Sequence, residues 1–261
     1  MSDVPIRISR RGAVLEVVID RPKANAIDAR TSRMLGEVFA AFRDDPAFRV
    51  AVITGAGRQF FSAGWDVNHG ANGEGADTDF GQGGFGGLQE MPGLNKPVVA
   101  AVNGLAVGGG FELALAADII VASQEARFSL PEIRTGTIPD AATVRLPRRI
   151  PHHVAMEMLL TGRWMDAEEA LRWGLVNEIA PAGDVLDRAR EIARMLSEGP
   201  PLAQAAIKEA VRETEDLAFQ DALNRITRRR LPAVSALYSS ADHKEGADAF
   251  QKGRKPRWTG K

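Results

Sequence analysis

Three consecutive glycines, Gly108, Gly109 and Gly110, separate an apolar run, Val98–Val102, from a second one, Phe111–Ala117, whose only polar residue is Glu112. Residues without a Cβ let the backbone turn sharply and let another segment or a ligand come close. The first run has strand composition. The second has no polar face, so it reads as a buried helix. A strand that passes through glycines into a buried helix is a building unit of an α/β domain. The start of such a helix presents unpaired N–H groups and the positive end of its dipole, a setting for a negatively charged oxygen. Glu112 lies in the first turn, where a carboxylate is costly unless it faces a cleft or a partner. From these residues alone, the stretch is either an anion site with a working carboxylate or a glycine turn before a core helix.

The rest of the chain fits an α/β core. Ala13–Asp20 reads as a strand closed by Arg21-Pro22, and Val50–Thr54 and Ile119–Ala122 as buried strands of a sheet covered on both faces. Asp28 is placed to cap a helix over Ala29–Arg43, where Met34, Leu35, Val38, Phe39 and Phe42 recur at helical spacing. FFSAGWD at Phe60–Asp66 and FSLPEIRTGTIP at Phe128–Pro139 read as loops. Helices are expected over His152–Leu160, Ala167–Trp173 and Val185–Leu196, with a short strand at Val176–Ile179. One long amphipathic helix is expected near Leu202–Arg230, and a short helix with a basic tail in Asp242–Lys261. Strands dominate early and helices late, which suggests a core over residues 1–195 and a helical C-terminal region over 196–261.

Asn68–Leu88 is compositionally unusual, with glycine at 8 of the 18 positions from 70 to 87, and is expected to be mobile when empty. Gly81–Gly86 matches G-x-G-x-x-G, but no strand precedes it and no periodic helix follows, so a dinucleotide site is rejected.

Composition excludes several classes. A net charge of −1 leaves no footprint for nucleic acid or an anionic membrane, and Arg228-Arg229-Arg230 reads as a solvated helix end. With no cysteine, thiolate catalysis, disulfides and Cys-ligated zinc are out. His69, His152, His153 and His243 have no metal-ligand spacing, so no metal is expected, and Ser62 lacks a G-x-S-x-G elbow. No run reaches membrane-spanning length and no signal core is present, so a cytoplasmic protein is expected.

Glu132 follows Pro131, twenty residues after Glu112 and across one buried strand. That path can bring the two carboxylates together, and a carboxylate pair with separated pKa values suits acid–base chemistry. The alternative is a surface glutamate at 132.

FSAGWD, AAVNGLAVGGGFELALAAD, LPEIRTGTIPD and TGRWMDAEEALRWGLVN, in this order and spacing, resemble the crotonase superfamily of enoyl-CoA hydratases and isomerases. The resemblance runs from about Ile6 to the end of the chain. It implies a spiral of ββα units, a helical C-terminal trimerisation region with Leu231, Val234 and Leu237 at its surface, and a homotrimer or dimer of trimers. It implies an acyl-CoA substrate and no separate cofactor, since coenzyme A is part of the substrate. The thioester oxygen would sit between the N–H groups of Ala63 and Gly109. Glu112 would activate water or take up the β-leaving oxygen, and Glu132 would exchange the α-proton. Two glutamates imply hydration or dehydration; a Δ3,Δ2-enoyl-CoA isomerase would need one, and a non-catalytic RNA- or protein-binding member neither.

RPKANAID, GWD, GGFGGLQE and IPD look most like a branch of the family whose acyl group carries a trimethylammonium. The resemblance then assigns substrate binding to Trp65, Asp66, Asp140, Phe250 and Lys252. Trp65 and Asp140 are candidates for the cation, against a plain cleft wall and a helix cap. Two departures stand out. Asp140-Ala141-Ala142-Thr143 lacks the family's Gly-Gly pair and is one residue shorter, and Gly253 occupies a position where relatives carry a lysine, with Lys252 or Arg254 as substitutes.

Overall fold

The computed structural model describes residues 4–66 and 78–261. Among the described residues ten strands form two sheets: β1 (Ile6–Arg11), β2 (Val14–Ile19), β3 (Val50–Gly55), β4 (Phe60–Ser62), β5 (Val98–Val102), β6 (Leu105–Val107), β7 (Ile119–Ser123), β8 (Arg127–Ser129), β9 (Met165–Asp166) and β10 (Glu178–Ala180). The larger sheet has the order β1-β2-β3-β5-β7-β10, and the smaller β4-β6-β8-β9. From β2 to β10 the larger sheet is parallel, with β1 added antiparallel to β2.

β3 and β5 are buried at every position because both faces of the sheet are covered. Ala51, Ile53, Ala100 and Val102 join the main core, which also holds Leu35, Phe39 and Phe42 of the Ala29–Asp44 helix. Val50, Val52, Val99 and Ala101 point the other way, onto Ala189, Ile192 and Ala193 of the Val185–Ser197 helix. Each fully buried Val, Ile, Leu or Phe contributes about 1.5–3 kcal/mol relative to exposure. Asp28 caps the Ala29–Asp44 helix as expected, its carboxylate accepting the Thr31 N–H at 2.7 Å.

Several boundaries differ from the sequence reading. β1 was not anticipated: five of its six residues are exposed, so it lacks the apolar run that marks a strand. β4 and β8 emerge within stretches read as loops, because three residues are too few for a periodic signal. The last strand is Glu178–Ala180, since the Val176 N–H closes the preceding helix on Ala170 O. The long C-terminal helix is two, Pro201–Thr214 and Phe219–Thr227. Between them Leu217 N–H bonds Thr214 O, and Arg148 holds Glu215 and Asp216 at 3.5 and 3.1 Å.

Leu231 and Val234, expected on an assembly surface, are buried against Ala206 of the same chain, with Leu237 packed beside them. Residues 68–77 of the glycine-rich segment lie outside the described residues. Its remainder is packed: Gly86 N–H bonds Ser32 Oγ at 3.1 Å, and a Cβ on Gly87 would run into the backbone of Leu35 and Gly36. Among the described residues no helix is long and apolar enough to cross a membrane.

Candidate active site

The site forms where the smaller sheet meets the start of the glycine helix. β4 pairs with β6 in parallel, and β6 runs through Gly108 into the helix Gly109–Leu115. After β4, the loop Ala63–Asp66 folds onto that helix start. Gly64 has φ +79°, and a Cβ there would sit 2.6 Å from Val107 O and 2.8 Å from Gly109 N. Only glycine allows this approach without strain. The Ser62 hydroxyl donates to Asn25 O at 2.7 Å and accepts the Gly64 N–H at 3.1 Å, so it shapes the loop.

The backbone donors of this loop correct one expectation. Ala63 N–H bonds Ala24 O at 2.9 Å and is already spent. Gly64 N–H bonds Ser62 Oγ, and Asp66 N–H bonds Ile27 O at 3.0 Å. Trp65 N–H has no acceptor among the described residues. Ala63 is therefore not the loop's free donor; the parallel bridge between Ile27 and Trp65 leaves that role to the next residue but one. Gly109 N–H opens its helix, where no intrahelical carbonyl can reach it.

The two glutamates do converge. Glu112 is 7% exposed, and its Oε1 accepts the Ala142 N–H at 2.8 Å. Burial raises its pKa, opposed by that hydrogen bond. Glu132 sits in the short 3-10 turn Pro131–Thr135 that follows β8. Its Oε1 lies so close to Gly108 that a Cβ there, at φ +52°, would come within 2.6 Å of it. Its Oε2 is buried without a partner. Burial, then the negative charges of Glu112 and Asp140, push its pKa up to about 7. Two carboxylates that act on each other, beside two backbone N–H groups with no acceptor among the described residues, can move protons to and from a substrate whose oxygen gains charge.

The other candidate residues divide. The Trp65 ring lies in an aromatic cluster with Phe80 and Phe85. Asp66 is held by Arg21 at 2.7 Å, and Arg21 also holds Asp28 at 2.9 Å, which explains the arginine and aspartate of RPKANAID. Asp140 is exposed at the first position of the Asp140–Arg149 helix, with Pro139 at the cap, and its charge bears on both glutamates. Phe250 is 89% exposed on the Ala241–Gln251 helix, and Lys252 pairs with Asp248 at 2.6 Å. Among the described residues no hydrogen bond or ion pair joins either to the glutamates.

Sequence reasoning missed Phe80, Phe85 and Arg145. The two phenylalanines stand in a glycine-rich stretch with few other large apolar side chains, a sign that they need a partner. Arg145 donates to Gln89 O, keeps Nη1 buried without a partner, and favours the ionised form of Glu112.

Comparison with known proteins matches residues 9–261 to the enoyl-CoA hydratase/isomerase family. A carnitinyl-CoA dehydratase of Salmonella arizonae is 53% identical over 256 residues, 98% of each chain. One of Escherichia coli strain K12 is 52% identical over 257 residues, again 98% of each. Among solved structures, enoyl-CoA hydratase from Mycobacterium tuberculosis H37Rv superposes with a TM-score of 0.90 at 37% identity, covering 98% of this chain and 99% of that one.

Proposed function

Because the chain belongs to the enoyl-CoA hydratase/isomerase family, we propose that Glu112, Glu132 and the N–H groups of Trp65 and Gly109 work as one acyl-CoA hydration site. The chain has the crotonase fold and is a lyase of the hydratase/dehydratase type. In the hydration direction, Glu112 takes a proton from water as the water oxygen bonds to the β-carbon. The electron pair of the double bond moves onto the thioester oxygen, and the two N–H groups hold the resulting enolate. Glu132, as the neutral acid, gives its proton to the α-carbon, and the thioester re-forms. The cycle closes when Glu112 releases its proton and Glu132 regains one from solvent. Dehydration runs the same steps backwards.

The observation that carries this reading is the pairing of a buried and a half-buried carboxylate, both of raised pKa, beside a helix start. An acid or base works best with a pKa near the working pH, which about 7 for Glu132 satisfies. Relatives above 50% identity named carnitinyl-CoA dehydratase support carnitinyl-CoA and crotonobetainyl-CoA as the substrate pair. On this reading coenzyme A arrives with the substrate and no further cofactor is needed.

We also infer a trimer or dimer of trimers. Ile207, Val211 and Phe219 are apolar yet 63%, 60% and 79% exposed on the helices Pro201–Thr214 and Phe219–Thr227, surface that copies of the chain can cover.

The test is hydration of crotonobetainyl-CoA and crotonyl-CoA by Glu112→Gln and Glu132→Gln. Each substitution keeps the side-chain shape and should lower kcat by roughly 10²–10⁴. Near-normal hydration by Glu132→Gln would overturn the two-carboxylate lyase and leave a Δ3,Δ2-enoyl-CoA isomerase, which needs one.

A further inference from the structure

Three aromatic rings meet beside the proposed enolate site. Trp65 and Phe80 stand edge to face with centroids 5.7 Å apart, and Phe80 and Phe85 do the same at 5.6 Å. Trp65 and Phe85 close the triangle at 6.2 Å. Each ring is only partly buried, so the cluster keeps ring surface open instead of sealing it in the core. Phe85 lies over Gly109, where any Cβ would overlap its ring, and Trp65 carries the other proposed donor on its own backbone. A substrate whose thioester oxygen meets those two donors therefore has its first acyl carbons next to the rings.

The charges nearby are mostly negative. Glu132 feels Glu112 and Asp140, and no cation acts on it among the described residues. Glu112 feels Asp140 and, among the described residues, one cation, Arg145. A hydrocarbon acyl chain gains nothing from such a field. A group that is positive but has no N–H to donate gains from the field and from the negative faces of the rings. A quaternary ammonium has both properties.

We propose that Trp65, Phe80 and Phe85 form an aromatic subsite for a quaternary ammonium at the acyl end of the substrate, with Asp140 adding negative field. This rests on the acyl-CoA reading above and names what selects the acyl group. Phe80 and Phe85 are then specificity residues, and Trp65 serves twice, through its backbone and through its ring.

The probe pair is crotonobetainyl-CoA and its neutral isostere 5,5-dimethylhex-2-enoyl-CoA, in which carbon replaces the charged nitrogen. Shape is the same, so the ratio of their Kd by calorimetry reads the recognition of charge, and the change of their kcat/KM ratio from wild type to variant cancels the ammonium's inductive effect on the double bond. The wild type should bind the cation more tightly, and Phe80→Leu and Phe85→Leu should each cut both ratios by about two- to thirtyfold. Phe80→Tyr, which keeps a ring, should restore most of the preference. A wild-type Kd ratio near one, or ratios unmoved by both leucine variants, overturns the subsite. A wild type that hydrates crotonyl-CoA but neither binds nor hydrates crotonobetainyl-CoA overturns the subsite and leaves the hydratase standing. If no enoyl-CoA is hydrated, the lyase reading falls, and the Kd ratio still decides the subsite.

Discussion

The Glu112 carboxylate accepts the Ala142 N–H at 2.8 Å, so a residue of one helix caps the start of another. Pro139, at the cap position of the Asp140–Arg149 helix, has no side-chain acceptor to offer. Glu112 fills the gap from outside, and its one engaged oxygen fixes the direction of the other.

The capping role separates from the catalytic one by substitution. Glu112→Gln keeps an oxygen for Ala142 and should melt close to the wild type while kcat collapses. Glu112→Ala leaves the N–H bare and should lose roughly 0.5–2 kcal/mol, as for other lost helix caps. For a chain of this size that is a melting temperature lower by about 1–8 °C. Coincident melting of the two variants in scanning calorimetry would mean that the hydrogen bond holds nothing.

Glu132 should govern the pH dependence. Its folded pKa of about 7 lies above the ordinary 4.5, so the folded state holds a proton that the unfolded state releases first. Its contribution to stability is full below 4.5 and is lost as pH rises to about 7. The wild type should lose melting temperature across that window more steeply than Glu132→Gln. Catalysis follows the same group in both directions. The reaction takes up and releases no proton, and hydration and dehydration each start from a glutamate pair that carries one proton, so kcat/KM should fall in both directions as pH passes about 7. A kcat/KM that stays flat through about 7 would assign the titration elsewhere.

The loop donor can be tested without touching a side chain. Incorporating the α-hydroxy analogue of tryptophan at 65 replaces its N–H with an ester oxygen. Loss of an oxyanion donor should cost about 10²–10³ in kcat. The same exchange at Ala63 removes the bond to Ala24 O and should appear in the melting temperature, with a smaller effect on kcat. A larger kcat loss at 63 than at 65 would return the donor role to Ala63.

Assembly has its own readout. Light scattering should give at least three times the 28.1 kDa chain mass, and Phe219→Asp should shift the distribution towards smaller species. A wild type that stays monomeric at micromolar concentration would reject a trimer.

What the sequence made legible was what depends on side-chain pattern. The apolar runs of β3, β5 and β7 and the spacing in the Ala29–Asp44 helix mark buried elements directly. Glu112 was visible because it interrupts an apolar run. Glu132 was visible only as a possibility, since its meeting with Glu112 depends on how β7 and β8 return the chain. The loop donor was misassigned because N–H groups leave no mark in the sequence: which of Ala63, Gly64 and Trp65 is free is decided by Ala24 O and Ser62 Oγ. The Trp65–Phe80–Phe85 cluster was hidden for a related reason, since glycine-rich composition suggested mobility where Gly83, Gly86 and Gly87 in fact pack tightly.

The order of strands in the larger sheet also sets a hazard during synthesis. Only β1 and β2 are joined by a tight turn; the other pairs are far apart in the chain, Val14 with Val50, Ala51 with Val98, and Glu178 with Val121. Parallel pairing imposes such long returns. At about 5–20 residues per second, β3 leaves the ribosome some seconds before β5 exists to cover its edge. During that interval a strand that is apolar on both faces has β2 on one edge and no permanent partner on the other. Losses on production should therefore arise from the nascent chain and not from the finished protein, and slower growth at lower temperature or added chaperone capacity should raise the soluble yield more than any buffer chosen after lysis.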